Sequence, residues 1–247
     1  MSQFVDAVES TRTFETAIEQ IVEGIERASL RAGDRLPSER ELAVQLSISV
    51  PTLRQALTVL ARSGLLGARQ GKGGGWFVVS DLVPFDAISA AVAVEGELAI
   101  ETLRARRLVE ACIARYVTVT GTDDDFAQLE WSMELLERHL DDRSSVMEAD
   151  AAFHRALVRA AKSDPLREAM RPISRRMFAI RDAYGGGRPE NQHTLDVHRR
   201  QVAAMRAKDL EALNAVLDEH LRMLEDAYAE ALGRHPEELF AAVRSAW

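Results

Sequence analysis

The first third of the chain carries an order of elements that few folds accommodate: three helical segments and then a glycine-rich hairpin. Apolar residues recur at helical spacing in residues 14–30, and Ser38 with Glu41 forms a capping-box pattern that starts a second, short helix. Ser49 is the expected N-cap of a third helix. Short apolar runs on both sides of Gly71–Gly75 predict the hairpin. This order predicts a winged helix-turn-helix, whose third helix enters a DNA major groove.

The predicted third helix and its surroundings carry side chains that suit DNA. Ser49, Thr52 and Arg54 lie on the expected exposed face of this helix, and Arg40 lies near the start of the second helix. Such groups hydrogen-bond phosphates and base edges. Lys72 and the glycines of the hairpin allow close approach to a phosphate or a minor groove. These could be ordinary solvated charges, but the joint occurrence of helix order, turn and wing favours DNA binding.

Charge and histidine content divide the chain into two parts. Residues 1–80 carry equal numbers of basic and acidic side chains, whereas residues 81–247 carry the whole net charge of -8 and all 6 histidines. Two different chemistries in 247 residues predict two domains with different roles. We assign the winged helix-turn-helix to residues 1–80, a linker to residues 81–84 and a second domain to residues 85–247.

Three features of the sequence bear on location. No apolar run reaches the roughly 18 residues that cross a bilayer. The first residues lack the basic and apolar segments of a signal peptide. Cys112 is the single cysteine, so an internal disulfide cannot form. We therefore expect a cytoplasmic protein with no membrane partner.

The second domain contains no convincing strand. Helical periodicity, interrupted by turn signals such as Gly121–Asp123 and Gly185–Pro189, predicts an all-helical bundle. The expected helices span residues 85–96, 98–120, 123–141, 144–161, 164–184, 190–207, 209–231 and 235–245. The fold class is therefore mainly α, with an N-terminal winged helix-turn-helix and a C-terminal all-α helical bundle.

Four residues of this bundle have the spacing of a metal site. Asp150 and His154 are four residues apart, so both project from one helical face. His198 and His220 each lie eleven residues from Asp209, the expected N-cap at the turn between two helices. In an antiparallel hairpin both imidazoles therefore lie roughly 16 Å from the turn, at the same height. One carboxylate and three imidazoles suit a divalent metal ion, with Zn²⁺ as first choice and another first-row ion as the alternative.

The opposing interpretation is that each histidine is separately a core or surface residue. Taken singly, His154, His198 and His220 can each be explained as such a residue. The symmetry of His198 and His220 about one turn, together with the Asp150 and His154 pair, favours a shared site. His139 and the other two histidines show no such geometry and stay unassigned.

Three stretches of the first domain, with its glycine-rich wing, form a known pattern: Gly33–Ala43, Leu53–Leu57 and Gly64–Leu66. They resemble the N-terminal domain of GntR-family regulators, over residues 14–80. The resemblance implies that the DNA-contacting positions are Arg40, Ser49, Thr52, Arg54 and the wing residue Gly71. The family usually has an arginine where this chain has Val50, which implies that one operator contact is weakened or altered.

The second domain carries a further set of motifs: Arg106–Glu110, Asp150–His154, Ser163–Leu166 and Val197–His198, followed by Asp209 and His220. Over residues 85–231 these resemble the FCD ligand-binding domain of the FadR subfamily of GntR regulators. The resemblance implies that the aspartate and the three histidines bind a metal, Zn²⁺ first and Ni²⁺ or Mn²⁺ as alternatives. It also implies that Arg106 pairs with a ligand carboxylate, with Arg107 as the fallback. Asp164 replaces the usual asparagine at a helix cap, a change that we expect to be tolerated.

These observations predict a ligand-responsive transcriptional regulator that acts as a repressor. We expect a homodimer, because operators are usually two half-sites that symmetric proteins match. The expected partners are double-stranded operator DNA and a small carboxylate or sugar acid that completes the metal shell and pairs with Arg106. Differential binding of this effector to one arrangement of the DNA-binding domains would change operator affinity.

Two alternatives stay open on the sequence. A metal-dependent hydrolase could use the same ligands, but it needs a positioned general base, and no HExxH or paired acidic motif supplies one. We therefore do not expect an enzyme. A DNA-binding protein with a purely structural metal is the second alternative, and it predicts that no organic acid stabilises the metal-loaded protein.

Overall fold

The computed structural model describes four stretches of the chain: residues 10–71, 74–82, 96–184 and 187–245. Over these residues the chain forms ten helices and one two-stranded hairpin. It divides into two units, residues 1–90 and 91–247. The predicted helix 85–96, except its last residue, and the predicted DNA contact Lys72 lie outside the described residues. The domain boundary near residues 81–84 stays a prediction, because part of it also lies outside them.

The first unit contains three helices and the hairpin: α1 (Ser10–Arg27), α2 (Glu39–Leu46), α3 (Val50–Arg62), β1 (Leu66–Arg69) and β2 (Gly75–Val78). The capping box is confirmed, because the Ser38 hydroxyl accepts from the Glu41 N–H and the Glu41 carboxylate accepts from the Ser38 N–H. Ser49 caps α3 by accepting from the Thr52 N–H. These caps set the turn between α2 and α3.

The core of the first unit forms between the apolar faces of its helices and the hairpin. Leu53, Leu57 and Leu60 of α3 are fully buried against α1 and β1. The hairpin is antiparallel, and the N–H of Leu36 donates to the carbonyl of Trp76 at 2.9 Å. The segment before α2 therefore runs along β2, which holds the hairpin beside the start of α2.

The second unit contains seven helices over its described residues: α4 (Glu97–Thr120), α5 (Asp123–Arg138), α6 (Arg143–Ala160), α7 (Asp164–Tyr184), α8 (Arg188–Ala207), α9 (Leu210–Ala231) and α10 (Pro236–Arg244). Their bounds agree with the predicted helices to within two residues, except that α5 ends three residues early. The helix ends early because the chain turns at His139. The mainly α fold class is confirmed.

Helix α4 is the centre of the second unit, because it packs against α6, α7, α8, α9 and α10. Helices α8 and α9 form an antiparallel hairpin. Lys208 adopts a left-handed conformation at the turn, and Asp209 caps α9 by accepting from the Ala212 N–H at 3.0 Å. Asp209 is therefore confirmed as the predicted N-cap. The turn between α8 and α9, from which the relative heights of His198 and His220 were predicted, lies where the sequence predicts it.

A buried ion-pair cluster joins three helices of this unit. Arg107 of α4 is fully buried and donates to both carboxylate oxygens of Glu225 in α9, at 2.7 and 3.0 Å. Arg244 of α10 donates to the same carboxylate at 3.0 Å. The cluster fixes the last helix to the centre of the unit. No helix in the described part of the chain has both the length and the apolar content to cross a membrane.

Candidate functional site

Three imidazoles from three helices meet inside the second unit. His154 comes from α6, His198 from α8 and His220 from α9, and one nitrogen of each lies within 4.8 Å of the others. All three side chains are buried. The ring of His198 stacks on Phe153, with 3.8 Å between the ring centroids, which fixes its orientation.

Asp150 lies one turn before His154 and reaches two of the three imidazoles. Its Oδ1 is 3.5 Å from Nε2 of His154 and 3.4 Å from Nε2 of His198. The group of ligand atoms that all lie within 4.8 Å of one another consists of the three imidazoles and does not include Asp150. Arg181 of α7 lies 2.8 Å from the other oxygen. Burial opposes ionisation, but Arg181 and His154 hold the pKa of Asp150 well below its usual range, so the group is a carboxylate.

Arg106 enters the same cluster from α4. Its Nη2 lies 2.8 Å from Nε2 of His220 and 3.5 Å from Nε2 of His154. A guanidinium only donates hydrogen bonds, so Nε2 of His220 accepts, and its proton lies on Nδ1. Nε2 has one lone pair in the ring plane, and a metal ion bound there would need the same lone pair. Arg107 bonds Glu225 and Asp218 instead, so Arg106 is the arginine that reaches the imidazoles.

Glu110 completes this arrangement, and the sequence analysis gave it no role. It accepts from Nε of Arg106 at 3.0 Å, and its Oε1 lies 3.0 Å from Nδ1 of His154. Burial opposes its ionisation, but Arg106 and His154 hold the pKa of Glu110 well below its usual range. The carboxylate faces Nδ1 and therefore leaves Nε2 of His154 directed at the other imidazoles. The sequence contained a signal for the role of Glu110, because it lies four residues from Arg106 on one helix. It contained no such signal for Arg181, which meets Asp150 only through the packing of α7 on α6.

The protonation of His198 and His220 fits a metal ion. Burial lowers the pKa of His198 to about 3, and burial together with Arg106 lowers that of His220 well below its usual value. Neutral imidazole is the form that binds a metal. Among the described residues, neither nitrogen of His198 has a hydrogen-bond partner. Three imidazoles and one carboxylate, with buried nitrogens left unpaired, fit a divalent cation such as Zn²⁺.

The expected DNA-contacting residues lie at the surface of the first unit. Arg40, Ser49, Arg54 and Gly71 are exposed, and Thr52 is partly exposed. The hydroxyls of Ser49 and Thr52 lie 2.8 Å apart at the start of α3, so each is held in place by the other.

Glu39 links three elements of this surface. It accepts from Nε of Arg54 at 2.7 Å and from Nε1 of Trp76 at 3.1 Å, and the Trp76 hydrogen bond, with that of Arg54, lowers its pKa. The contact fixes Arg54 relative to α2 and β2. Val50, which stands where the resembling family usually has arginine, packs against the core instead of offering a charge.

Comparison with known proteins identifies both units. Residues 13–78 match the family described as bacterial regulatory proteins, gntR family, and residues 101–223 match the FCD domain. Both matches define a DNA-binding transcriptional regulator and not an enzyme, so the hydrolase alternative is wrong. The chain belongs to the GntR family, as a member with an FCD domain, which confirms the predicted family.

Curated relatives match nearly the whole chain. The Uxu operon transcriptional regulator of Escherichia coli (strain K12) is 26% identical over 232 residues, which cover 91% of this chain and 90% of the relative. The HTH-type transcriptional repressor NanR of Salmonella newport (strain SL254) is 26% identical over 236 residues, or 90% of this chain and 86% of the relative. The solved structure of E. coli McbR/YncC aligns with a TM-score of 0.54 at 19% identity, covering 89% of this chain and 98% of that one, which shows a shared fold.

Proposed function

We propose that the chain is a repressor that releases operator DNA when a small organic acid binds at a metal ion in the second unit. Asp150, His154, His198 and His220 would hold the metal, with Zn²⁺ as first choice. The observation that carries the proposal is the meeting of three buried imidazoles beside the guanidinium of Arg106. A relative called a transcriptional repressor supports the sign of the response. The regulator would act in the cytoplasm, where bacterial operators lie.

The residues of the cluster have separate roles in binding the acid. A bound divalent cation would supply positive charge for a carboxylate oxygen. Arg106 would donate to the second oxygen, because its guanidinium matches the geometry of a carboxylate. Glu110 holds Arg106 from behind at 3.0 Å, and Arg181 fixes Asp150. All these groups are buried or nearly so, which strengthens their interaction with a charged ligand.

The first unit would bind DNA through the surface at the start of α3. Arg54, oriented by Glu39, would read a base edge or a phosphate, and Ser49 and Thr52 would bond phosphates. Arg40 would contact DNA from α2. Gly71 and Lys72 would approach the backbone from the wing. Val50 offers no charge, so one contact made by arginine in other members would be absent.

A homodimer would present two such surfaces to the two half-sites of an operator. Helix α4 offers a contact surface for a second copy. Leu108, Tyr116 and Val119 are 48%, 48% and 72% exposed, and with the exposed Cys112 they follow one side of the helix. An exposed apolar stripe of this kind marks an interaction surface. Sedimentation of wild type and of Val119→Glu would test this, with a monomeric variant expected.

Operator release tests the proposal directly. The operator is first selected from random DNA, and the metal content of the purified protein is measured. A gel shift then compares wild type with the His198→Ala/His220→Ala variant, with His193→Ala as the control because His193 is an exposed histidine of α8. We expect the acid that releases wild type and the control to leave the double variant on DNA. Normal release from the double variant would show that the metal is not part of the switch.

A thermal-shift screen separates sensing from a structural metal. Metal-loaded wild type is heated with a library of organic acids, and the melting temperature is recorded. Sensing predicts that at least one acid raises the melting temperature, whereas no stabilisation by any acid would favour the structural role.

A further inference from the structure

Gln201 of α8 is a buried polar residue to which the proposed function gives no role. Its side chain is 0% exposed, and neither Oε1 nor Nε2 has a hydrogen-bond partner among the residues that the structure describes. Buried polar groups are nearly always paired, because an unpaired one loses the hydrogen bonds that water provides. An amide with both its donor and its acceptor unpaired therefore indicates a partner that is not protein, either a ligand or water.

Three buried hydroxyl groups of the unit are paired within their own helices. The hydroxyls of Thr102, Thr118 and Ser132 donate to carbonyls of their own helices, at 2.7, 2.9 and 2.6 Å. Unpaired atoms like those of Gln201 occur at His198 and at Nδ1 of His220, which belong to the histidine cluster. The unpaired amide therefore lies on the same helical hairpin, α8 and α9, as these unpaired imidazoles.

The position of Gln201 on α8 brings it next to His198. The two residues are three positions apart, which is about 4.5 Å along the axis and about 60° around it. Both belong to the buried side of α8, with Met205 one turn further on. Leu217 lies as many residues after Asp209 as Gln201 lies before it, so it faces Gln201 across the hairpin, and its apolar side chain offers no hydrogen bond.

We propose that Gln201 hydrogen-bonds a hydroxyl group of the acid bound at the histidine cluster, and that it selects hydroxylated acids over their deoxy analogues. The inference rests on the proposed function and adds a residue that determines specificity. A primary amide suits a hydroxyl, because Oε1 accepts its proton and Nε2 donates to its oxygen or to a neighbouring carboxylate oxygen. A site that bonds a hydroxyl discriminates strongly against an analogue without one, because that analogue leaves buried polar groups unpaired.

Matched pairs of acids test the proposal by isothermal titration calorimetry on the full-length, Zn²⁺-loaded protein. The probes are lactate against propionate, malate against succinate, and gluconate against hexanoate. We expect wild type to bind at least one hydroxylated acid tenfold or more tightly than its deoxy partner. Gln201→Leu should weaken binding of that hydroxylated acid at least tenfold and leave the deoxy partner unchanged. Gln192→Leu is the matched control, because Gln192 is a glutamine of α8 that bonds Asp196 at the surface.

Two further measurements separate this role from a structural one. Zn²⁺ affinity should be the same in wild type and Gln201→Leu, and the melting temperature without acid should stay the same or rise, because an apolar group replaces an unpaired amide. If the leucine variant does not fold, Gln201→Met, which keeps the length of the side chain, replaces it.

The possible failures are distinguishable. Unchanged discrimination in a folded Gln201 variant would overturn this inference alone and would assign the amide to a bound water. Equal weakening of both members of a pair in the variant would overturn it in the same way. Failure of every acid to bind wild type would overturn the proposed function and this inference with it.

Discussion

Arg106 and a metal ion need the same atom of His220. The guanidinium lies 2.8 Å from Nε2 of that histidine, and a ring nitrogen has only one lone pair to give. A cation bound by His220 through Nε2 would therefore release one arm of Arg106, which is then free to bind the carboxylate of the acid. Metal loading and acid binding are coupled at this residue in our proposal.

The Arg106→Met variant separates the two partners of this guanidinium. We expect its metal affinity to rise by a few-fold, because no side chain then competes for Nε2 of His220. Its affinity for the acid should fall by about 1.5–3 kcal/mol, the value of a hydrogen bond to a charged group. Calorimetry with Zn²⁺ and then with the acid measures both. Arg138→Met, at an exposed arginine of α5, is the control, and a loss of metal affinity in Arg106→Met would contradict the competition.

Single residues show how far the sequence alone can predict this site. His198 and His220 were found from their equal distances to Asp209, because a capped turn sets the register of a helical hairpin. Glu110 was missed as a site residue although its spacing from Arg106 carried a signal. Gln201 was missed because a glutamine within a helix looks like a surface residue until its burial is known.

Buried ion pairs join helices α4, α9 and α10. Their burial determines how much these pairs contribute to the stability of the unit. Glu225 accepts from Arg107 and Arg244, and its side chain is 1% exposed. An arginine that loses such a partner keeps its charge in a place without water, which is far more costly than the loss of a surface pair. The sequence predicted the bounds of these helices from caps and periodicity, but not the cluster, in which Arg107 and Glu225 lie more than a hundred residues apart.

The Glu225→Gln variant measures this cluster. We expect the free energy of unfolding to fall by roughly 3–5 kcal/mol, because Arg107 and Arg244 lose their buried carboxylate and Arg107 keeps only the partly exposed Asp218. Urea unfolding followed by circular dichroism gives the value. Glu134→Gln, which breaks the exposed pair with Arg138, is the matched control and should cost at most about 0.5 kcal/mol. Equal effects of the two substitutions would show that burial does not determine the strength of the cluster.

The two units of the molecule differ in the chemistry that they can offer to a metal. All 6 histidines lie beyond residue 80, and the single cysteine lies in α4. This division was visible in the sequence, because charge and histidine content change where the predicted wing ends. What the sequence did not contain is the closeness of the imidazoles, which depends on how α6 packs against the α8 and α9 hairpin.

Metal binding should therefore stabilise only the second unit. At a free Zn²⁺ concentration of about 100 times the dissociation constant, we expect a gain of about 2.7 kcal/mol in the free energy of unfolding. Hydrogen exchange followed by mass spectrometry should show greater protection in residues 97–231 and no change in residues 10–71, and EDTA should reverse it. The His198→Ala/His220→Ala variant should show no gain, and a gain of the same size in that variant would place the metal elsewhere.

The turn at Lys208 and Asp209 limits how the length of this chain can vary in evolution. One residue inserted between Asp209 and His220 would rotate that imidazole by about 100° around α9 and move it by about 1.5 Å. It would then leave its place beside His198. An insertion after His220 would leave both rings where they are. Natural insertions and deletions should therefore avoid the stretch between the two histidines and collect near the far end of α9.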